Sequence, residues 1–154
     1  MNSISKAIDS LIEGEPLFTN PVEFDDSWLD KFIDGTWTRR EDGKIDTLGT
    51  VRLNNMDLTE LPYEFGEVKG YFYCVDNSLT TLKGCPEIVR KGFDCSNNQL
   101  TSLEGGPEIV GLSYNCRENP LKSLQGAPEY VYGDFMSNKF TDKEYRAYVE
   151  ERDE

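Results

Sequence analysis

The sequence predicts an α/β solenoid, because one stretch of the chain recurs at a fixed period. Residues 93–103 resemble residues 72–82 upstream and residues 114–124 downstream, with a spacing of 21 residues in each case. A weaker copy covers residues 51–61. Repetition at this length is typical of solenoids, in which neighbouring repeats stack and share one continuous core.

Aligned at 21 residues, the repeats form apolar columns that the stack should bury. The first two columns are two residues apart, so they lie on the same side of a short strand. Successive strands should pair as a parallel β-sheet on the concave face, about 4.8 Å apart. The apolar columns are Val51, Phe72, Phe93, Tyr114 and Phe135; Leu53, Cys74, Cys95 and Cys116; Leu58, Leu79, Leu100 and Leu121; Leu61, Leu82, Leu103 and Leu124; and Val68, Val89, Val110 and Val131.

A recurring set of polar and turn residues separates one strand from the next within the repeats. Asn77, Asn98 and Asn119 follow the strands, where an amide can satisfy backbone groups that a bend leaves unpaired. The segment from Gly84 to Glu87 and its two copies form the return leg, which is too short and too rich in proline for an α-helix. We expect the return leg to consist of turns or a short 3₁₀ segment.

Both ends of the stack should carry caps, because a terminal repeat otherwise exposes an apolar edge and an open strand. Residues 28–33 have the apolar spacing of a helix, and a hairpin is predicted around the turn Glu41–Gly43. Near the other end, Thr141 and Glu144 form a capping-box pattern that begins a helix. The predicted organisation is an N-terminal cap at 1–47, repeats at 48–140 and a C-terminal cap at 141–154.

A further short helix is predicted near the N-terminus. Ile4, Ala7, Ile8, Leu11 and Ile12 fall at helical spacing. Two interpretations stay open at this stage. The helix can complete the cap, or it can dock into a partner or a second copy of the chain.

Charge and hydropathy exclude several classes of function. The chain carries 16 Lys and Arg against 29 Asp and Glu, a formal net charge of −13. This charge repels phosphate backbones and anionic membrane surfaces, so we expect no direct binding to nucleic acid or membranes. No apolar run approaches the roughly 20 residues of a membrane span, and residues 1–15 lack the pattern of a signal peptide. We therefore expect a cytoplasmic protein.

Histidine and cysteine, two residue types that often carry catalysis or bind metals, are absent or assigned to the core, and catalysis by carboxylates alone has no support in the sequence. The chain has no histidine, and its four cysteines form no CxxC pair. Cys74, Cys95 and Cys116 share a column with Leu53, and Cys85 aligns with small residues, so all four fit as small buried hydrophobes. No GxxxxGK or GxGxxG motif occurs. We predict no enzyme activity, no metal and no cofactor.

Three carboxylates share a column in the return legs. Glu87, Glu108 and Glu129 each follow a proline directly. Stacked at the spacing of the strands, they could imitate a row of phosphates or hold a hard cation. In the interpretation that we prefer, each Pro-Glu pair begins a helical turn, where a carboxylate favours the positive end of the dipole.

The strand and turn pattern occurs as Phe72-x-Cys74-x-x-Asn77-x-Leu79 and recurs in the next two repeats. It resembles the leucine-rich repeat family. The return legs and the segment Trp37–Gly43 are similar to those of short, uncharacterised leucine-rich repeat proteins of tailed phages. The resemblance covers residues 48–140. It departs from the family pattern at Met56, which replaces the first asparagine, and at Asn138, which fits only after a two-residue deletion.

Residues that alternate with the buried columns should face outward on the concave side. That face commonly holds the partner in leucine-rich repeat proteins, which the resemblance implies and the periodicity alone does not. Two tyrosines beside arginines have the composition of an interface hot spot, although both are also ordinary strand residues. The candidate partner-binding residues are Arg52, Asn54, Tyr71, Tyr73, Val75, Asp94, Ser96, Asn115 and Arg117.

These observations predict a non-catalytic module that binds another protein. The resemblance implies a phage factor that binds and inhibits or redirects a host protein, such as a component of host defence. The alternative is an acidic decoy that mimics nucleic acid through Glu87, Glu108 and Glu129. Such a decoy would block a basic nucleic-acid-binding site of a host protein.

Overall fold

Each 21-residue repeat forms one coil of a β-solenoid and contributes a short strand to each of two sheets, in which the strands of successive coils pair in parallel. The computed structural model describes residues 26–153 and contains about four such coils. The predicted solenoid is therefore confirmed. The predicted N-terminal helix, with Ile4 and Leu11, lies outside the described residues.

The strands are short and regularly spaced along the chain. In chain order they are β1 Trp37–Arg39, β2 Ile45–Thr47, β3 Val51–Arg52, β4 Phe65–Val68, β5 Phe72–Tyr73, β6 Ile88–Val89, β7 Phe93–Asp94, β8 Ile109–Val110, β9 Tyr114–Asn115, β10 Tyr130–Val131 and β11 Phe135–Met136. Strands β3, β5, β7, β9 and β11 form a five-stranded sheet, and β1, β2, β4, β6, β8 and β10 form a six-stranded sheet. The helices of residues 26–153 are a 3₁₀ turn at Asp26–Trp28, α1 at Leu29–Phe32 and α2 at Asp142–Arg152.

The return legs differ from the sequence prediction. They contain turns, as expected, but each leads directly into a strand of the six-stranded sheet, and no helix occurs within residues 48–140. The Glu108 N–H donates to the Glu87 carbonyl at 2.8 Å, so the backbone of one leg bonds to the next leg. Bonds between coils satisfy the polar groups that a 3₁₀ turn would satisfy internally. The Pro-Glu pairs consequently do not begin helical turns, and that interpretation of Glu129 and its column is wrong.

A ladder of aromatic rings runs through the core. The rings of Phe72, Phe93, Tyr114 and Phe135 stack with centroids 5.0 to 5.7 Å apart. The leucine, cysteine and valine columns predicted from the sequence are buried beside this ladder. Stacking of like on like follows from the parallel register, which places Phe72 opposite Phe93.

The asparagine column does what its spacing predicts. The amide of Asn98 donates to the carbonyls of Cys74, Cys95 and Ser96 at 2.9 to 3.2 Å, and its carbonyl accepts from the Leu79 N–H at 2.9 Å. Each asparagine thus satisfies the bend of its own coil and of the preceding coil. The residue before it in each complete repeat is left-handed, with φ of 57°, 55° and 55° at Asp76, Asn97 and Glu118.

The N-terminal segment closes both sheets at one end. Strand β2 forms the predicted hairpin with β1 and pairs in parallel with β4. The predicted helix is shorter than expected, because Ile33 leaves it in an extended conformation and forms an antiparallel bridge with Val51. The hairpin thus extends the six-stranded sheet while Ile33 covers the edge of the five-stranded one.

Helix α2 closes the other end. Thr141 and Glu144 form the predicted capping box, with the Glu144 N–H donating to Thr141 Oγ1 at 3.1 Å. Tyr145 is buried, and its hydroxyl donates to the Pro128 carbonyl at 2.6 Å. Arg146 donates to the carbonyls of Val131 and Gly133 at 2.6 Å each, which occupies groups that a further coil would have used. None of the described helices is long and apolar enough to cross a membrane.

Candidate functional site

The candidate site is the outward surface of the five-stranded sheet, which we call the tyrosine face. Because side chains alternate along a strand, burial of Phe72 and Phe93 turns their neighbours outward. The nine residues predicted to face outward and bind a partner all lie on this surface and are exposed or half-buried. The tyrosine face comprises Arg52, Asn54, Tyr71, Tyr73, Val75, Gly92, Asp94, Ser96, Ser113, Asn115, Arg117 and Met136.

Tyr71 and Tyr73 form the most pronounced feature of the tyrosine face. Tyr71 directly precedes strand β5 and Tyr73 ends it, so both flank the buried Phe72 and their side chains leave the sheet on the same side. The rings stack with centroids 5.5 Å apart and planes 7° from parallel. Two aromatic surfaces therefore stand together above the sheet, with their polar hydroxyls at the outer end.

Two cations hold this pair. The Arg52 guanidinium lies 5.4 Å from the centroid of the Tyr73 ring, and Lys91 Nζ lies 5.7 Å from that of Tyr71. Arg52 is itself oriented by Asp34, which accepts from its Nε at 2.8 Å and thereby raises the pKa of the guanidinium. Partial burial, followed by the neighbouring Tyr71, raises the pKa of Tyr73. The hydroxyl of Tyr73 is therefore neutral at neutral pH.

A notch lies beside the two rings, above Gly92. The position aligned with Tyr71 in the next coil is Gly92, and a Cβ there would lie 3.1 Å from Tyr71 Cδ1. The missing side chain leaves an open cavity of about 230 Å³. Its walls are Tyr71, Tyr73, Gly92, Phe93, Asp94, Leu112, Ser113, Asn115 and Met136.

The far side of the notch is polar and held by hydrogen bonds. Asn115 Nδ2 donates to Asp94 Oδ2 at 3.3 Å, and Asn115 Oδ1 accepts from Arg117 Nε at 3.2 Å. Asp94 Oδ1 also accepts from the Ser96 N–H at 2.9 Å. Asn54 has a similar local role, because its Oδ1 accepts from the Val75 N–H at 2.8 Å. The polar residues are thus fixed in place around the aromatic pair.

Ser113 alternates outward in the sequence but is not among the candidate binding residues, and sequence reasoning missed five further residues of this site. Gly92, Leu112 and Met136 line the notch, Lys91 lies over Tyr71, and Asp34 orients Arg52. The 21-residue alignment contains a signal for the notch, since it places a glycine between a tyrosine and a serine in one outward column. The role of Asp34 has no such signal, because the residue belongs to the cap.

The acidic column lies outside the tyrosine face, because its three glutamates directly precede strands β6, β8 and β10 of the six-stranded sheet. Glu87, Glu108 and Glu129 are all exposed. Glu87 accepts from Lys44 Nζ at 2.5 Å, which raises the pKa of Lys44. The column and the tyrosine face therefore do not form one site.

The cysteines are buried in the core. All four are free thiols, and burial raises the pKa of each of them, that of Cys116 to about 12. A thiol with a raised pKa is a poor nucleophile and a poor metal ligand at neutral pH. Within residues 26–153, no three His, Cys, Asp or Glu side chains gather as a metal site.

No family model, curated protein or solved structure matches this chain.

Proposed function

We propose that this protein is a non-catalytic module that holds a partner protein on the tyrosine face. The observation that carries the proposal is the stacked pair Tyr71 and Tyr73, which stands beside an open notch. Aromatic residues next to arginine in such a setting are typical of interface hot spots. Because Arg52 and Lys91 already hold the rings, little side-chain freedom is lost when a partner binds.

The notch suits one apolar side chain of the partner. At about 230 Å³ it is smaller than the roughly 300–1,000 Å³ of pockets that take small molecules. Leu112 and Met136 supply apolar walls, and Asp94 and Asn115 supply a polar rim. An anchor side chain in an apolar pocket with a polar rim is the usual arrangement at the centre of a protein interface.

The resemblance of the repeats to leucine-rich repeat proteins of phages extends this proposal. The protein would be a phage factor that acts in the host cytoplasm and inhibits or redirects a host protein, such as a defence component. This extension rests on the repeat pattern alone.

A second candidate function is the acidic decoy. The exposure of Glu108 and Glu129, in register on adjacent coils, favours it. The third carboxylate, Glu87, is neutralised in part by Lys44. A decoy would bind a basic site with a steep dependence on salt, and its binding would be lost on replacing all three glutamates by glutamine.

Affinity capture from a bacterial lysate separates the two functions. The baits are wild type, Tyr73→Ala, the triple Glu→Gln variant of the acidic column, and Thr101→Ala as an exposed control. Binding through the tyrosine face predicts that Tyr73→Ala alone loses the partner that wild type retains. Loss with the triple variant alone would contradict this proposal and support the decoy.

A further inference from the structure

A second apolar surface lies on the outward side of the six-stranded sheet. Val89 and Val110 point into the core, so Ile88, Ile109 and Tyr130 point away from it. The register places Ile88 opposite Ile109 and Ile109 opposite Tyr130, which makes a continuous ladder. Tyr132 stacks on Tyr130 with centroids 6.4 Å apart, and the two tyrosines are 74% and 49% exposed. We call these four residues the apolar ladder.

Carboxylates border the apolar ladder along one side. Glu87, Glu108 and Glu129 directly precede its three strand residues and are exposed. Glu108 and Glu129 form no ion pair with any residue of the described part of the chain, whereas Glu87 pairs with Lys44. On the other side Arg90 is neutralised by Glu67, with Nε 2.5 Å from Oε2. The surface is therefore an apolar stripe beside a negative stripe, and both run along the axis of the stack.

The spacing of the apolar ladder selects the conformation of what can cover it. Adjacent coils are about 4.8 Å apart, because parallel strands pair at that distance. Apolar residues at i, i+3 and i+4 of an α-helix recur about every 5.4 Å along its axis, which is close to the spacing of the ladder. Alternate residues of an extended strand recur about every 6.6 Å and lose register within a few positions.

We propose that the apolar ladder and its glutamates bind a basic amphipathic helix of a protein partner. The apolar residues of that helix lie on Ile88, Ile109 and Tyr130, and its Lys or Arg residues meet Glu108 and Glu129. The partner lies along the axis of the stack on the six-stranded sheet, whereas the tyrosine face belongs to the five-stranded sheet. The solenoid then has two independent faces and can bring two proteins together.

Charge argues against the other occupants of this surface. A second copy of the chain would bring together two molecules of charge −13, with the glutamate column at the interface. The chain's own apolar segment at residues 3–13 contains Lys6 but also Asp9 and Glu13, so it lacks a positive flank. A basic partner helix is attracted by the same carboxylates that disfavour a second copy of the chain and the segment at residues 3–13.

Fluorescence anisotropy with a labelled synthetic peptide tests the proposal. The probe is a helix-forming peptide of about 18 residues with Leu on one face and Lys on its flanks, long enough to be helical in water. A scrambled peptide of the same composition is the matched control. The two peptides carry the same charge, but the scrambled peptide has no continuous apolar face. We therefore expect it to bind wild type at least about tenfold more weakly.

Two variants locate the binding. We expect Tyr130→Ser with Tyr132→Ser to weaken binding of the Leu and Lys peptide at least about tenfold, and Glu108→Gln with Glu129→Gln to weaken it about threefold and to reduce its salt dependence. Tyr73→Ala should leave this binding unchanged, and circular dichroism checks that each variant is folded.

Equal affinity for the scrambled peptide, or unchanged affinity of the folded Tyr130 and Tyr132 variant, would overturn the proposal. So would an absence of binding by wild type. A dimer of wild type that the same tyrosine substitutions dissociate would assign the surface to a second copy instead.

Discussion

The ring of Tyr145 lies 4.3 Å from the ring of Phe135, centroid to centroid, and the two planes are 9° from parallel. Phe135 belongs to the last coil and Tyr145 to helix α2, so the helix adds one more ring to the ladder of the core. The hydroxyl of Tyr145 also bonds to the Pro128 carbonyl. Tyr145 thus takes the place that a further repeat would occupy.

Replacement of Tyr145 by alanine should destabilise the whole solenoid. The change removes a buried ring from the end of the ladder, and we expect a loss of about 3–5 kcal/mol in the free energy of unfolding. Tyr145→Phe keeps the ring and loses one hydrogen bond, which costs about 1 kcal/mol. Urea denaturation measures both, with the exposed Tyr132→Ala as the control. Equal effects of Tyr145→Ala and Tyr132→Ala would contradict the capping role.

Asn98 should be more important for stability than its neighbours in sequence. Asn98→Ala leaves the buried N–H of Leu79 without a partner. The carbonyls of Cys74 and Cys95 each lose one amide donor but keep Asn77 and Asn119 respectively. We expect a cost of about 1–3 kcal/mol, which is the usual cost of one orphaned buried group. The exposed Gln99→Ala should change stability by less than about 0.5 kcal/mol. Similar denaturation midpoints for the two variants would show that the asparagine column contributes little to the stability of the fold.

Glu118 occupies a backbone conformation that suits another residue type. Its φ is 55°, in the left-handed region, and the aligned positions hold Asn55, Asp76 and Asn97. Glutamate tolerates this region less well than asparagine does. Glu118→Asn should therefore raise the free energy of unfolding by about 1 kcal/mol, and thermal denaturation measures the gain. Glu104→Asn, at a position outside the left-handed region, should give no gain, and an equal gain there would refute the backbone explanation.

Stability should fall in alkaline solution because of the buried thiols. Burial raises the pKa of each cysteine above its usual 9.0, so the folded state keeps protons that the unfolded state releases. The stabilisation is complete below the unfolded pKa and is lost as pH rises toward the folded pKa. The loss approaches about 1.4 kcal/mol per pH unit for each thiol.

Cys85→Ala provides the matched control for this pH dependence. Alanine occupies the aligned position 127, where it is buried. With one thiol fewer, the variant should lose stability less steeply than wild type when urea denaturation is repeated between about pH 8 and pH 10. Tyrosine ionisation affects both proteins equally. Identical slopes would mean that the Cys85 thiol does not resist ionisation in the folded state.

Much of the fold follows from the sequence because its determinants recur or are local. The 21-residue alignment identifies the buried columns and the role of Asn98, and the capping box at Thr141 needs only two residues three positions apart. The six-stranded sheet was not predictable in this way. Its repeat strands are mostly two residues long, as at Ile88–Val89, which is too short for an alternating pattern to show.

The candidate site was predicted in part. Alternation with buried neighbours is enough to turn Tyr71 and Tyr73 outward. The notch was missed because a glycine matters there only through what surrounds it, namely the Tyr71 ring on one side and Leu112 on the other. The apolar ladder was missed because it depends on the second sheet.

Site-specific photo-crosslinking tests the central claim, that the tyrosine face holds a partner protein. A benzophenone amino acid is placed at Ser113, in the wall of the notch, and in a separate protein at the exposed Thr101 in the bend after Leu100. Both proteins are irradiated in a bacterial lysate, and adducts are identified by mass spectrometry. We predict one protein adduct from position 113 that is absent from position 101 and disappears when Tyr73→Ala is added. Equal adducts from both positions, or an adduct at 113 that survives Tyr73→Ala, would contradict the claim.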